Sequence, residues 1–232
     1  MEFKPYLVRE IVEEGADVRT FKLVSPDGKV PPYKAGHFFL IRLPDDSGKL
    51  INRPYSVASA PWEDALWFCI KRKGTFPQFL WKLKAGDNVD ADGPYGIFLL
   101  RPEDTQRVFI GGGVGISALR SMILQTLRDG KVAHLFHSAH TLDSLIYFKE
   151  FEALAKVEPN FRFHPSITGE TVPMGWGGST ERIGVDTLKR ALGGLDGKTF
   201  YLCGSKEMAG GLAIALMAAG VPKEMVKKDE WG

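Results

Sequence analysis

The sequence predicts two successive architectures, a β-rich N-terminal part and an alternating α/β C-terminal part. Through residues 1–100, short segments rich in β-branched and aromatic residues recur between Gly, Pro and Asp. From residue 107 onward, apolar strands alternate with segments of helical periodicity. The first pattern is typical of a sandwich or barrel, and the second of a parallel, doubly wound sheet.

The N-terminal part is predicted to contain short strands and a helix. The strands are Tyr6–Glu13, Arg19–Ser25, His37–Leu43, Arg53–Ala58 and Leu66–Lys71. Pro77–Leu83 is predicted as a helix, because proline suits the first helical turn, and residues 84–87 form the following turn. The polar residues 101–106 indicate a linker, so the predicted domains are 1–100 and 107–232.

The C-terminal part alternates between the two kinds of element. The predicted strands are Arg107–Ile110, Val132–Phe136, Phe161–Ile167 and Thr199–Cys203, and the predicted helices are Ile116–Arg128, Leu145–Lys156, Val185–Leu192 and Glu207–Ala219. Residues 169–182 contain several glycines and a tryptophan, which predict a long loop over the strand ends.

Composition excludes several classes of protein. Among the 232 residues, 44% are hydrophobic, which argues against disorder, and a net charge of +2 is too small for a nucleic-acid binder. No apolar run approaches the length of a transmembrane helix, and the first residues lack the apolar core of a signal peptide. Cys69 and Cys203 are too few for a disulfide framework or an iron–sulfur site, so we expect a reducing cytoplasm.

Three histidines follow one another at a spacing of three residues: His134, His137 and His140. A metal site is conceivable there, but no cysteine or carboxylate spacing completes it. We therefore favour an ordinary strand-and-loop role and predict no metal.

Arg53-Pro54-Tyr55-Ser56 brings a cation, a flat ring and a hydroxyl together. Arg53 suits a phosphate, Tyr55 the face of an aromatic cofactor, and Ser56 a hydrogen bond to the edge of its ring. In a regular strand Arg53 and Tyr55 share one face and Ser56 lies on the other, so a twist or bulge is needed for all three to touch one ligand. The alternative is an edge strand with an arginine that extends past a half-buried tyrosine.

Gly111–Gly115 lies between an apolar strand and a helix, the context of a dinucleotide-binding turn whose N–H groups hold phosphate. The match is incomplete because Ile116 replaces the last glycine, and a tight turn is the alternative. Cys203-Gly204 ends a later strand, where ligands bind in parallel sheets. A small thiol there can lie against a planar ring, although free cysteines are commonly buried.

Taken together, these motifs resemble those of the ferredoxin–NADP reductase superfamily over nearly the whole chain. Four segments carry the resemblance: residues 53–61 (RPYSVASAP), residues 86–96 (GDNVDADGPYG), residues 111–116 (GGGVGI), and residues 201–204 (YLCG), with Trp231 following near the end. The resemblance implies an antiparallel Greek-key β-barrel that binds flavin, followed by an α/β domain that binds NAD(P).

The resemblance also implies roles for individual residues. Arg53 would bind the FAD pyrophosphate, Tyr55 would pack on the isoalloxazine, and Ser56 would donate near N5. The predicted cofactor-binding residues are Arg53, Pro54, Tyr55, Ser56, Cys69, Ile70, Lys71, Gly74, Thr75, Phe76, Gly112, Gly113, Val114, Gly115, Thr168, Arg182, Cys203, Gly204, Lys206 and Trp231, and the predicted catalytic residues are Ser56, Cys203, Glu230 and Trp231. Trp231 would cover the flavin face that nicotinamide must reach, and Glu230 would relay a proton.

Several positions depart from the family pattern. Pro77 stands where a serine or threonine is usual and supplies neither a hydroxyl nor an N–H to a phosphate. Val114 replaces a common threonine. Thr168-Gly169-Glu170 lacks the arginine that often follows this threonine in NADPH-using relatives, and an acid can bond a free ribose hydroxyl. This favours NADH, although Arg182 and Lys206 remain available to a 2′-phosphate.

The implied function is an FAD-dependent NAD(P)H oxidoreductase. A hydride passes from nicotinamide to flavin, and single electrons then pass to a separate acceptor such as ferredoxin or another redox protein, because the chain carries no iron–sulfur ligands of its own. One alternative is a flavin or ferric reductase that uses diffusible acceptors. Another is a non-enzymatic regulatory protein that uses the two-domain fold to bind a partner.

Overall fold

The structure, a computed structural model, describes residues 1–15, 17–169 and 171–231. For residue 231 it describes the backbone alone. The interpretation of Glu170 therefore lies outside the described residues.

Within the described residues, the N-terminal part is a six-stranded antiparallel sheet in the order β4-β3-β6-β1-β2-β5. Its elements are β1 (Lys4–Gly15), β2 (Val18–Val24), β3 (Phe38–Pro44), β4 (Leu50–Ser56), β5 (Leu66–Lys71), α1 (Thr75–Leu80) and β6 (Asn88–Tyr95). The sheet curls until its two edges meet, since the Ala58 N–H, just beyond β4, donates to the Trp67 carbonyl of β5 at 2.8 Å. This closure gives the predicted Greek-key barrel, and apolar side chains such as Phe21, Phe39 and Phe68 fill its interior.

The C-terminal part is a five-stranded parallel sheet in the order β11-β10-β7-β8-β9. Its elements are β7 (Gln106–Gly112), α2 (Ile116–Arg128), β8 (Val132–Ala139), α3 (Phe148–Val157), β9 (Phe161–Ile167), α4 (Val185–Leu192), β10 (Thr199–Ser205), α5 (Gly211–Ala218) and β11 (Val226–Trp231). Strand order reverses between β7 and β10, as in doubly wound folds. The predicted fold class is confirmed.

Apolar packing joins the two parts. One cluster of buried residues contains Ala58 and Cys69 from the barrel together with Ile116, Leu119 and Met122 from α2. A separate cluster lies on the other face of the parallel sheet, where α4 and α5 pack. The proposed linker, residues 101–106, is also packed: Asp104 is buried and accepts a 2.5 Å hydrogen bond from the Tyr201 hydroxyl.

Several predicted boundaries are wrong. The first helix begins at Thr75 rather than Pro77, so Pro77 lies inside its first turn. The third helix begins at Phe148 rather than Leu145, because Tyr147 adopts a left-handed conformation with φ of 60°. The last helix is preceded by a π-helical segment, Lys206–Gly210.

Two strands of the structure are not among the predicted strands. The first, β6, lies within residues 86–96, which were singled out only for their resemblance to the family. The second, β11, contains the polar run Lys227–Glu230, which shows no apolar alternation. Its strand conformation comes from parallel pairing with β10 rather than from its own side chains.

Candidate active site

The edge strand β4 carries the first group of predicted residues. Its ladder with β3 runs without a register shift from Leu50 to Ser56, so the bulge that would bring all three side chains together is absent. Arg53 and Tyr55 share one face, and Ser56 lies at the end of the strand on the other. Because β4 pairs with β3 along one side and the hydrogen bond that closes the barrel comes from Ala58, beyond its end, a ligand along the unpaired side of β4 can still meet groups from both faces.

Arg53 is an exposed cation with no carboxylate partner among the described residues. Its Nη1 donates only to the neighbouring Asn52 carbonyl, at 2.7 Å. Pro54 is also exposed, and Tyr55 and Ser56 are half-buried. The arrangement leaves a positive charge and an aromatic face available on the same side of the strand.

Helix α1 packs beside this strand. The rings of Tyr55 and Phe76 lie 6.1 Å apart at an interplanar angle of 30°. Burial raises the pKa of the Tyr55 hydroxyl, which therefore stays neutral. Gly74 and Thr75 are exposed at the start of the helix, and the amide donors nearest Pro77 are those of Phe76 and Gln78.

Two of the three predicted residues of strand β5 have buried side chains. Cys69 and Ile70 are 5% and 2% exposed, and their side chains enter opposite apolar clusters. Burial raises the pKa of the Cys69 thiol to about 12. These two residues can offer a ligand only their backbone, whereas the Lys71 side chain is exposed.

The glycine turn follows β7 directly. Gly113 adopts φ of +55°, a conformation that L side chains rarely take, and a Cβ there would meet no protein atom within 4 Å. A Cβ on Gly111, by contrast, would lie 2.8 Å from Leu119 Cδ1. Gly111 therefore allows close packing of strand and helix, while the space over Gly113, beside half-buried Val114, is open. Gly115 is buried where α2 begins.

Met208 is a residue at this edge that sequence reasoning missed. If Gly204 carried a Cβ atom, that atom would collide with Met208 Cε. A Cβ atom on Gly112 would lie 3.5 Å from the same Cε. The methionine thus fills the notch between the ends of β7 and β10. A methionine at helical spacing resembles an ordinary core residue, so the sequence carried no signal for this position.

The predicted catalytic residues of this part do not all converge. The Cys203 thiol is 1% exposed and belongs to the core cluster, so it does not face the cleft as predicted; burial raises its pKa well above the usual value. Glu230 pairs with Lys228 at 3.0 Å and reaches toward Gly210. The backbone of Trp231 pairs with Ser205 at the end of β10, but its side chain lies outside the described residues.

The remaining predicted residues lie on or around the carboxyl edge of the sheet. Thr168 follows β9, and its N–H donates to the Ala139 carbonyl at 2.8 Å. Arg182 and Lys206 are exposed cations on separate segments. The three histidines do not form a site: His137 is fully buried, His134 faces His164, and no group of three or more metal-ligating side chains occurs in residues 1–15, 17–169 and 171–231.

The barrel site and the glycine turn meet along β5. Ser117 Oγ, in the first turn of α2, donates to the Cys69 carbonyl at 3.3 Å. One helical turn farther on, Arg120 is 3% exposed and donates to the Ala58 carbonyl at 2.9 Å. Arg120 was also missed, although an arginine within the apolar stripe of Ile116, Leu119 and Ile123 was a visible signal.

Two families of protein domains match the chain. The oxidoreductase FAD-binding domain matches residues 6–99, and the oxidoreductase NAD-binding domain matches residues 109–213.

Together these two matches cover most of the chain, which therefore carries the FAD-binding and NAD-binding domains of an oxidoreductase. They confirm the predicted enzyme class, a flavin-dependent NAD(P)H reductase, and its cofactors, FAD and a nicotinamide dinucleotide. The predicted resemblance to the ferredoxin–NADP reductase superfamily is confirmed as well.

Solved structures of other FAD- and NAD(P)-binding proteins share the fold. The flavohemoglobin-like FAD/NAD-binding domain of nitric oxide dioxygenase from Vibrio cholerae superposes with a TM-score of 0.90 at 21% identity, covering 100% of both chains. A ferredoxin–NADP+ reductase from Neisseria gonorrhoeae with bound FAD and NADP gives a TM-score of 0.82 at 23% identity, covering 100% of this chain and 98% of that one.

Curated relatives extend beyond the matched region. The chain is 28% identical to a component of the Na+-translocating NADH-quinone reductase of Klebsiella pneumoniae, over 93% of this chain and 64% of that protein. It is 27% identical to the same component of the Neisseria meningitidis reductase, with the same coverage. The chain therefore spans less than two thirds of these relatives. None of the helices within its described residues is both long and apolar enough to cross a membrane.

Proposed function

We propose that the chain takes electrons from NADH or NADPH, holds them on bound FAD, and passes them singly to a separate redox protein such as ferredoxin. The observation that carries this proposal is the junction of the two candidate sites along β5. The Ala58 N–H donates to the Trp67 carbonyl of that strand, and Ser117 of the glycine-turn helix donates to its Cys69 carbonyl. A flavin at β4 and a nicotinamide at the turn would then lie side by side.

The barrel residues fit the flavin. The guanidinium of Arg53, free of any acid among the described residues, can take the pyrophosphate, and the half-buried Tyr55 ring can lie on the isoalloxazine. Ser56 can donate to the edge of that ring from the end of β4. The other predicted contacts are Pro54, the backbone of Cys69 and Ile70, and Lys71, Gly74, Thr75 and Phe76.

The α/β residues fit the dinucleotide. Gly113 presents its backbone to the open space over the turn, Gly112, Val114 and Gly115 flank it in sequence, and Gly204 lies on the neighbouring strand. Thr168, Arg182 and Lys206 can serve the adenosine end. When both cofactors are bound, FAD supplies the redox chemistry by accepting a hydride and releasing electrons one at a time. The protein positions the two rings and excludes water.

The proposal also specifies the electron donor and the electron acceptor. The relatives from Klebsiella and Neisseria are named for NADH, which supports NADH as donor. Solved neighbours named as a cytochrome P450 reductase and a ferredoxin reductase support a protein acceptor. The two buried, free cysteines suit the reducing cytoplasm. The division into domains 1–100 and 107–232 is part of the same proposal.

Anaerobic titration of the purified, FAD-loaded protein with NADH and with NADPH tests the function. We expect bleaching of the flavin absorbance by NADH at lower concentrations than by NADPH. Reduction by neither coenzyme would contradict the proposal. A strong preference for NADPH would show that Arg182, Lys206 or another cation outweighs the missing arginine.

A flavin reductase that uses diffusible acceptors is the second candidate, and Pro77 favours it. Pro77 lies in the first turn of α1, where it removes one backbone donor from the end that would face the pyrophosphate. Weakened retention of FAD suits an enzyme that releases its flavin. Purification without bound flavin, together with turnover of added flavin, would decide for this candidate.

A further inference from the structure

Arg120 lies at the centre of the contact between the barrel and the α/β part. It is in the second turn of α2, the helix that begins directly after the glycine turn, and it is 3% exposed. Its guanidinium lies 4.3 Å over the Trp67 ring of β5. A fully buried arginine that spans two structural units is unusual unless its donors are satisfied.

Every branch of the guanidinium has an acceptor. Nη1 donates to the Ala58 carbonyl at 2.9 Å and to Glu63 Oε2 at 2.8 Å, and Nη2 donates to Glu63 Oε1 at 3.1 Å. Nε donates to Glu150 Oε2, on α3, at 2.9 Å. Two of these acceptors belong to the barrel and one to the α/β part, so the arginine fixes the barrel against two helices at once.

The barrel acceptors are close to the flavin motif. Ala58 is two residues beyond Ser56, and its N–H closes the barrel by donating to Trp67. Glu63 Oε2 also accepts from the Ala60 N–H at 2.6 Å. One guanidinium therefore holds the segment that leaves β4, while its own helix carries the glycine turn.

We propose that Arg120 is a positioning residue that sets the distance between the bound flavin and nicotinamide rings. This inference rests on the proposed function. Hydride transfer requires the reacting atoms to approach to about 3–3.5 Å, and a misplacement of about 1 Å can cost on the order of a hundredfold in rate. A bidentate, buried arginine supplies the required rigidity, and lysine cannot replace its planar geometry.

The test compares Arg120→Lys with wild type by anaerobic stopped-flow reduction of the FAD-loaded protein by NADH and NADPH. We expect the limiting rate of flavin reduction to fall at least about tenfold, while the half-saturating coenzyme concentration and the FAD content stay within about threefold. We also expect a weaker long-wavelength charge-transfer absorbance when an unreactive NADH analogue is added, which reports ring stacking without turnover.

Two further variants separate the branches of the contact. Glu63→Gln weakens the branch that holds the flavin-proximal segment, and Glu150→Gln weakens the branch to α3. The proposal predicts the larger loss of limiting rate for Glu63→Gln. Equal losses of limiting rate in Glu63→Gln and Glu150→Gln would contradict the proposal, because a cluster that only stabilises the fold would respond alike to either substitution.

Arg107→Lys is the matched control. Arg107 is 1% exposed in β7 and donates to Thr126 and to the Arg101 carbonyl, with no bond to the flavin motif. It should lower thermal stability without changing the limiting rate. An Arg120→Lys protein that reduces at the wild-type rate, or that loses rate only through weaker binding of FAD or coenzyme, overturns the proposal. Wild-type protein reduced by neither coenzyme overturns the proposed function as well.

Discussion

The barrel and the α/β part form their candidate sites by opposite means. The edge strand β4 presents side chains: the exposed guanidinium of Arg53 and the half-buried ring of Tyr55. At the carboxyl edge of the parallel sheet the accessible feature is backbone: the space over Gly113 is open, while Met208 packs over Gly112 and Gly204. The barrel site would recognise its ligand through side chains, and the α/β site through close approach of the ligand to the main chain.

This contrast predicts opposite sensitivities to substitution. Truncation to alanine should damage the barrel site, because it deletes the recognising group. Addition of a side chain should damage the α/β site, because it fills the space into which a phosphate fits. Each effect should also be confined to one cofactor, since the predicted side chains other than Trp231 belong to one site or to the other.

The largest effect is expected for Gly113→Val. A β-branched side chain would project into the open space over the turn at φ of +55°, where it blocks approach of the dinucleotide. We expect normal FAD content but reduction by NAD(P)H slowed by about a hundredfold or more. The measurement is anaerobic stopped-flow absorbance of the flavin.

Gly130→Val controls for backbone strain. Gly130 has φ of +70°, and a Cβ there also meets no protein atom within 4 Å, but it lies in the turn after α2 at the opposite edge of the sheet. Both variants should lose similar thermal stability, and only Gly113→Val should lose reduction. If flavin reduction by NAD(P)H is unchanged in Gly113→Val, the turn has a structural role only.

Arg53→Ala should act on the other cofactor. Loss of a charge-assisted contact to phosphate costs about 1.5–3 kcal/mol, which corresponds to about a ten- to hundredfold weaker affinity for FAD. Equilibrium dialysis of the holoprotein measures it. Arg162→Ala is the control, because Arg162 is likewise exposed and donates to a neighbouring backbone carbonyl, that of Phe161 at 2.9 Å. Equal FAD retention in both variants would remove Arg53 from the site.

Local sequence patterns predicted the architecture because both periodicities reflect burial. The alternation of strands and helices after residue 107 was sufficient for a parallel sheet, and the glycine turn was found in its expected place between β7 and α2. What the patterns could not predict was set by tertiary contacts. The strand β11 forms by pairing with β10, despite its charged residues, and the helix α3 starts late because Tyr147 is left-handed.

The candidate site shows the same division. Arg53 and Tyr55 could be recognised as polar and aromatic groups on one strand, and the structure leaves them accessible. Cys203 was expected in the cleft because it ends a strand, but side-chain direction alternates along β10 and its thiol enters the core. Met208 was missed because it resembles an ordinary core residue, whereas Arg120 interrupts an apolar stripe but its partners Ala58, Glu63 and Glu150 are distant in sequence.

A buried histidine in the α/β part makes the stability of the protein depend on pH. His137, in the α/β part, is fully buried without a hydrogen-bond partner among the described residues, and burial lowers its pKa from 6.5 to about 3. The folded state therefore excludes a proton that the unfolded chain binds. The contribution of His137 to the free energy of unfolding is fully present above pH 6.5. As the pH falls from 6.5 toward 3, this contribution decreases by about 1.4 kcal/mol per pH unit.

Urea unfolding at pH 7 and pH 5 measures this loss. For wild type we expect His137 to account for about 2 kcal/mol of the decrease in the free energy of unfolding between these pH values. His137→Leu should remove that part, because leucine leaves no buried group to protonate. An identical acid response in wild type and His137→Leu would show that the imidazole is solvated.

The smallest effect concerns the place where the two sites meet. The backbone of Trp231 pairs with Ser205, which puts this residue at the same strand edge as Gly204. If its ring covers the flavin, it competes with nicotinamide for one face, and Trp231→Ala should tighten binding of oxidised coenzyme. An aromatic pair contributes about 0.5–1.5 kcal/mol, so the dissociation constant should fall by about two- to tenfold. Flavin fluorescence should rise, because a stacked tryptophan quenches it. Trp62→Ala, at a 43% exposed tryptophan of the barrel, should change neither quantity. If Trp231→Ala also changes neither, the two sites meet without a covering residue, and recognition at the nicotinamide edge depends on backbone alone.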